Sequence, residues 1–243
     1  GTTFADAPAQ LVAGHVQLDN NQPRPLRSRD SIRAAGTGRA TQRNIADYYV
    51  YPLDEPTTIA NNQTKQVGFL DAAAISATKR YEYTMWGLYS NEEPESARVA
   101  INFANDGAGG LTAPLPAGTV RVYVDDIDGI AKFIGEDAIG HAPVGSDISI
   151  NTGDAFDVTV QPTEVLNRSA GWRRNEVKMR LAVRNAKPEP VVVHIRHKGI
   201  WRSLQLIEES HPSDAVDAAS REWPLTVNAG SETVLEYTAR IIW

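Results

Sequence analysis

Apolar and polar residues alternate with a period of two along much of the chain, the pattern of strands that bury one face and wet the other. Val177, Met179, Leu181 and Val183 alternate with Lys178, Arg180 and Arg184. The same alternation runs through Ala97, Val99, Ile101 and Phe103, through Val120, Val122 and Val124, through Phe156, Val158 and Val160, and through Leu235, Tyr237, Ala239, Ile241 and Trp243. No window of about a dozen residues carries a helical period. Only "DAAAISATKRYEY" offers the start of a helical turn, at Asp71.

Turn residues punctuate these runs: Asn105-Asp106-Gly107, Pro116-Ala117-Gly118, Asp128-Gly129, Asn151-Thr152-Gly153, Asn185 to Pro188 and Asn228-Ala229-Gly230. Asp128-Gly129 lies between "VRVYVD" and "IAKFIG", a strong hairpin signal. The expected fold is therefore all-β, with antiparallel strands in two β-sandwich-like units, the last immunoglobulin-like. A composition shift near Ser169 to Arg174 places the units at 45–168 and 169–243. In the strand around Tyr81, Tyr83 and Met85 share one face and Glu82, Thr84 and Trp86 the other, so coverage on both sides is expected. Tyr48, Tyr49, Tyr51 and Tyr89 add to this aromatic concentration, which suits a core or an interface better than a carbohydrate platform.

The segment 19–44 breaks the pattern. It gathers Arg24, Arg27, Arg29, Arg33, Arg39 and Arg43 among prolines, glycines and serines, with few apolar anchors, so it reads as a loop or linker. Its positive charge on an otherwise acidic chain makes Arg24, Arg27, Arg29, Arg33 and Arg39 candidates for docking an acidic or phosphate-rich partner.

Composition narrows the function classes. The 243 residues carry a net charge of -6, which offers no basic field for nucleic acid. With no cysteine there is no disulfide framework, thiolate metal site or cysteine nucleophile. No apolar run approaches the about 20 residues of a membrane-spanning helix. The sequence begins at Gly1 and shows no signal peptide, which suggests a processed or trimmed product.

Between Thr57 and Gln66, seven of ten side chains are amides or hydroxyls. Asn61-Asn62 suits a turn, after which Gln63 to Leu70 is expected as a strand with Val67 and Phe69 on one face. Asn61, Asn62, Gln63, Thr64 and Gln66 either line a sugar-binding groove or join loops to strand edges. "PTTIANNQTKQVGFLD", followed in order by "KRYEY", "LPAGTVRVY", "FIGED" and "EESHP", resembles the C-terminal domain of an uncharacterised bacterial envelope family. That domain of unknown function, the four-one-three-nine type, is similar to the one in mucoidy inhibitor A proteins. The resemblance spans Tyr48 to Trp243, and its weight lies in the order of the motifs.

It implies a periplasmic, outer-envelope or extracellular setting and a longer parent with an exported N-terminal half. Residues 1–18 then look like the closing strands of a truncated upstream β domain, with 19–44 as the insertion after them. Partners implied are the missing N-terminal half or further copies of the chain, with envelope polysaccharide as a ligand class. The resemblance brings no catalytic assignment.

Several constellations invite chemistry. Asp125, Asp126 and Asp128 resemble the start of a calcium loop, although the twelve-residue spacing with its terminal glutamate is absent and a hairpin turn accounts for Asp128-Gly129. His194 and His197 fall on opposite faces of one strand, which defeats shared coordination. Glu208, Glu209 and His211 in "EESHP" suit loop anchoring. No G-x-S-x-G, S-x-x-K or phosphate loop is present, and "GAGG" lacks the lysine that would follow. The expectation is a non-catalytic envelope or secreted β-protein working through protein surfaces as a scaffold or assembly subunit. A carbohydrate-binding module or polysaccharide hydrolase is the alternative.

Overall fold

A computed structural model describes residues 2–13, 43–45, 48–53, 55–72, 74–107, 111–199 and 204–242. The described residues contain no helix, the stretch at Asp71 included, and nearly all pairing is antiparallel, so the all-β expectation holds. The chain divides into two compact units with interleaved segments.

The first unit comprises Gly1–Ser76, Ala104–Gly118 and Ile139–Asp147. Strand β1 (Phe4–Ala7) pairs with β5 (Thr57–Ile59), while β2 (Gln10–Ala13), β4 (Tyr48–Pro52) and β3 (Arg43–Ile45) form a sheet in the order β2-β4-β3. The described part of 1–18 therefore finds its strand partners within this chain. Val50 and Tyr51 are buried, the Tyr51 hydroxyl donates to the Pro114 carbonyl at 2.7 Å, and the Phe69 ring meets Tyr51 edge to face at 5.4 Å. Asn105 is fully buried, and its Nδ2 donates to the Ala113 carbonyl at 3.0 Å.

The second unit comprises Ala77–Phe103, Thr119–Ala138 and Ile148–Trp243. Its main body is a sheet of β6 (Ala77–Trp86), β7 (Glu95–Asn105), β10 (Ser146–Ser169), β11 (Arg174–Asn185), β12 (Val191–Lys198), β13 (Leu204–Glu209), β14 (Asp214–Asp217), β15 (Ser220–Val227) and β16 (Ser231–Ile242). The order is β13-β16-β11-β10-β7-β6-β12-β15-β14, with β12 parallel to β6. Although β16 stands second and β15 eighth, Trp223 of β15 stacks on Tyr237 of β16 with ring centroids 5.0 Å apart. The sheet therefore folds over and buries one face against itself.

The period of two decides which residues enter. Val177, Met179, Leu181 and Val183 lie in the core, as do Leu235, Tyr237 and Ala239. They meet Met85, Val158, Val160, Val193, Ile195, Trp223 and Leu225. Each such aliphatic side chain contributes about 1.5–3 kcal/mol on burial. The intervening positions carry ion pairs along the wet face, among them Lys178 with Glu236 at 2.7 Å and Arg184 with Glu232 at 2.7 Å.

Three expectations are corrected. The turn at 170–173, which the composition shift marks as a boundary between units, joins β10 to β11 in one long antiparallel pairing that shifts register only between Glu164 and Leu166. Phe156 does not share the inward face with Val158 and Val160: Ala155 is buried and Phe156 is 94 % exposed, because the alternation shifts by one between Ala155 and Val158. The strand β6 is covered on one side only, with Tyr81, Tyr83 and Met85 buried and Trp86 68 % exposed.

Candidate interaction surface

One hairpin of the second unit stands outside the nine-stranded sheet. Strands β8 (Gly118–Asp125) and β9 (Ala131–Ile139) form a two-stranded sheet of their own. Local chemistry sets the turn. The Gly129 N–H donates to the Asp126 carbonyl at 3.0 Å, the Asp126 N–H to the Ile130 carbonyl at 3.1 Å, and Gly129 takes φ of 73°. That is a type I turn closed by a left-handed glycine, a standard three-residue hairpin loop.

The Asp126 carboxylate serves the same turn. Its Oδ1 accepts the N–H groups of Asp128 at 2.9 Å and Ile130 at 3.0 Å, and its Oδ2 lies 3.2 Å from Lys132 Nζ. The backbone N–H of Ile130, then that of Asp128, holds this carboxyl below its ordinary range. The aspartates that resemble the start of a calcium loop thus include one, Asp126, whose Oδ1 serves the backbone and whose Oδ2 meets Lys132, and no group of three or more metal-binding side chains occurs among the described residues.

Pairing from Asp126 with Ile130 puts Tyr123 opposite Phe133, and their rings meet edge to face at 5.6 Å. Tyr123 is 55 % exposed and Phe133 54 %; Val124, Ile130 and Ile134 are exposed as well, and Ile127 at the tip is completely so. Arg121 and Glu136 pair at 2.9 Å in solvent. Farther down, the ribbon is pinned to β10: the Asn151 N–H donates to Asp137 Oδ2 at 2.9 Å, and a Cβ on Gly135 would stand 2.5 Å from the Thr152 carbonyl oxygen. Glycine is required there because two backbones touch.

A second feature is an open groove of about 430 Å³ lined by Glu82, Tyr83, Thr84, Glu95, Ser96, Arg98 and Asp154. The Tyr83 hydroxyl donates to the Glu95 carboxylate and lies 3.2 Å from the Tyr89 hydroxyl. Burial first, and these acceptors second, push the Tyr83 phenol up, so it stays protonated and positions Glu95.

The residues singled out from sequence are distributed between anchoring roles and solvent. Asn62 takes φ of 59° in the turn after β5, and Gln63 Oε1 accepts the Ala60 N–H at 3.0 Å while the Gln63 N–H donates to the Ala60 carbonyl at 3.1 Å. Lys65 Nζ donates to Thr57 Oγ1. Residues 63–70 are exposed and form no strand, contrary to expectation, since they lack a pairing edge and only Phe69 finds a ring to pack on. Asn61, Thr64 and Gln66 are exposed in the same segment. Arg24, Arg27, Arg29, Arg33 and Arg39 lie outside the described residues, as does most of "GAGG".

His194 and His197 fall on opposite faces of β12, as their spacing requires. His194 sits 3.2 Å from Glu222, which also binds Arg80 at 2.8 Å and Arg196 at 2.7 Å. His197 is fully buried, with Nδ1 3.1 Å from the Tyr237 hydroxyl, and burial pulls its pKa down to about 4. In "EESHP", Glu209 accepts from the Trp223 indole at 2.9 Å and from the Ser213 N–H at 3.2 Å, an anchoring role. Sequence reasoning missed the ribbon as a surface, although valine alternation with tyrosine and phenylalanine at the opposed positions was its available signal.

No protein-family model, curated protein or solved structure matches this chain.

Proposed function

We propose that the chain is a non-catalytic β-protein that works by docking another protein onto the β8–β9 ribbon. The observation that carries this is the exposure of Tyr123, Val124, Ile127, Ile130, Phe133 and Ile134 on a hairpin that, among the described residues, pairs with no other strand and touches β10 only near its base. An isolated two-stranded hairpin is marginal in water, and a soluble monomer seldom leaves such a concentration of apolar side chains unpartnered. The likeness of its motif order to an envelope domain supports a setting in the bacterial envelope or outside the cell, where scaffolds assemble.

A photo-crosslinking amino acid at Ile127, compared with one at Glu232 on the wet sheet face, tests the docking role in the cells that make the protein. Protein adducts are expected from position 127 and not from 232. Absence of any adduct from 127 contradicts it.

Carbohydrate binding is favoured by a separate observation, the groove where Glu82, Glu95 and Asp154 offer acceptors beside Arg98 and the hydroxyls of Tyr83, Thr84 and Ser96. Calorimetric titration with neutral oligosaccharides, repeated on Arg98→Ala, checks it. Heat that vanishes in the variant supports it, and no heat with the wild type rejects it.

A further inference from the structure

Strand β8 reads Thr119-Val120-Arg121-Val122-Tyr123-Val124-Asp125, and its charges are placed symmetrically about Tyr123. Arg121 precedes that residue by two positions and Asp125 follows it by two. The hydrogen-bonded pair of Asp126 with Ile130 fixes which backbone groups of β8 are spent on β9. Because such pairs alternate along an antiparallel ladder, Val124 and Val122 face β9, whereas Arg121, Tyr123 and Asp125 turn their N–H and C=O groups to the other edge. Among the described residues no strand pairs with that edge.

From this we infer that the ribbon docks onto a second copy of the same chain, β8 pairing antiparallel with β8 about a two-fold axis at Tyr123. The inference rests on the docking role proposed above and names its partner. In that register Arg121 of one copy lies directly opposite Asp125 of the other, twice per dimer, and Val122 opposite Val124. Directly opposed side chains in an antiparallel pair stand about 4.5–5.5 Å apart between Cβ atoms, close enough for both ion pairs to form. A shift of one residue separates the charges and turns the tyrosines to opposite faces.

The same backbone groups that now end in water become a ladder, which is how open edges are ordinarily recruited. Asp125 has no ion-pair partner among the described residues, and the Arg121 bond to Glu136 is held in solvent, so neither must surrender a buried contact. Isologous pairing uses the same β8 edge in both copies and so consumes it, which closes the assembly at two copies. The tip itself excludes an anionic lipid surface as occupant, since Asp125, Asp126 and Asp128 flank Ile127.

Charge exchange tests the register. The mass of the full chain in solution, read by light scattering over rising concentration, is expected to move from one copy to two. Arg121→Asp alone and Asp125→Arg alone each place like charges opposite one another and are expected to weaken the dimer by at least about tenfold. An equimolar mixture of the two single variants restores both opposed pairs and is expected to dimerise, as is the double variant R121D/D125R. Circular dichroism of each variant, expected to match the wild type, removes misfolding as the cause.

A wild type that keeps the mass of one chain throughout overturns the inference, as do single variants that dimerise like the wild type or a mixture that stays apart. If the wild type is a single chain while Ile127 still cross-links to a different protein, the second-copy partner falls and the docking role stands. If Ile127 forms no adduct at all, the docking role falls with it.

Discussion

The indole of Trp223 lies flat on the ring of Tyr237, 17° from parallel, while its Nε1 donates to Glu209 at 2.9 Å and the Tyr237 hydroxyl contacts His197 and the Met85 sulfur. Five strands of the folded-over sheet, β6, β12, β13, β15 and β16, meet around this one contact. It ties the two ends of a nine-stranded sheet together, and every polar atom of the two rings is satisfied on the way.

Removing that contact is expected to be costly. Trp223→Ala leaves a cavity at a fully buried position and is expected to destabilise the fold by about 3–5 kcal/mol in chemical denaturation. Tyr237→Phe keeps the volume but strips His197 Nδ1 of its partner, and about 1–3 kcal/mol is expected there. A smaller loss from the first substitution than from the second is the opposite outcome.

Acid sensitivity follows from His197. Its folded pKa of about 4 lies below the ordinary 6.5, so below 6.5 the unfolded chain binds the proton that the folded chain refuses. Stability is thus complete above about pH 6.5 and falls as pH drops toward 4, by up to about 3 kcal/mol. His194 is displaced the same way, by burial first and then by Arg80, and adds in the same direction. Denaturation from pH 7 to 4 is expected to show this decline, and His197→Leu to flatten it. An unchanged pH slope in that variant contradicts the assignment.

Asn105 and Asn185 repeat one device at the ends of two strands, each within its own unit. Asn185 Nδ2 donates to the carbonyls of Glu189, Val227 and Asn228 at 2.8–3.2 Å, and its Oδ1 accepts the Lys187 N–H at 3.0 Å. Asn185→Ala is expected to destabilise by about 1–3 kcal/mol, and Asn185→Asp by more, because a carboxylate then faces carbonyl oxygens. Thermal melts of the two variants compare them directly.

Gly135 carries the placement of the ribbon. Gly135→Val puts side-chain atoms into the Thr152 backbone, so the ribbon must move off β10. Faster amide exchange at Asn151, whose N–H binds Asp137, is expected while the core around Trp223 keeps its protection. Equal exchange in the variant and the wild type is the contrary result.

Strand positions and their inner faces were legible wherever the period of two ran unbroken, as from Val177 to Val183, because pleat and solvent together leave one solution. Where the alternation slipped, the reading slipped with it. The sequence puts Phe156 on the inward face because a one-residue shift flips every following side chain and leaves no mark in composition. The turn at Asp128-Gly129 was readable from its own residues, whereas the strand expected after Asn61-Asn62 did not form, since a strand needs a neighbour that local sequence cannot name.

The candidate surface was harder to see. Val120, Val122 and Val124 look alike in a buried strand and an exposed ribbon, and only the pairing shows that β8 has one strand neighbour among the described residues. The order of the nine strands, which brings Trp223 onto Tyr237, likewise depends on contacts far apart in sequence. Polar residues that seemed candidates for ligands, Glu209, Gln63 and Asp126 among them, are engaged in holding turns and loops.

The most direct measurement is hydrogen exchange at the backbone amides of Arg121, Tyr123 and Asp125 in dilute and in concentrated solutions of the unmodified protein. These three face the open edge of β8, so fast exchange when dilute and marked protection when concentrated are expected, with Val122 and Val124 changing far less. Exchange at the three amides that is independent of concentration would contradict the ribbon as a self-docking edge.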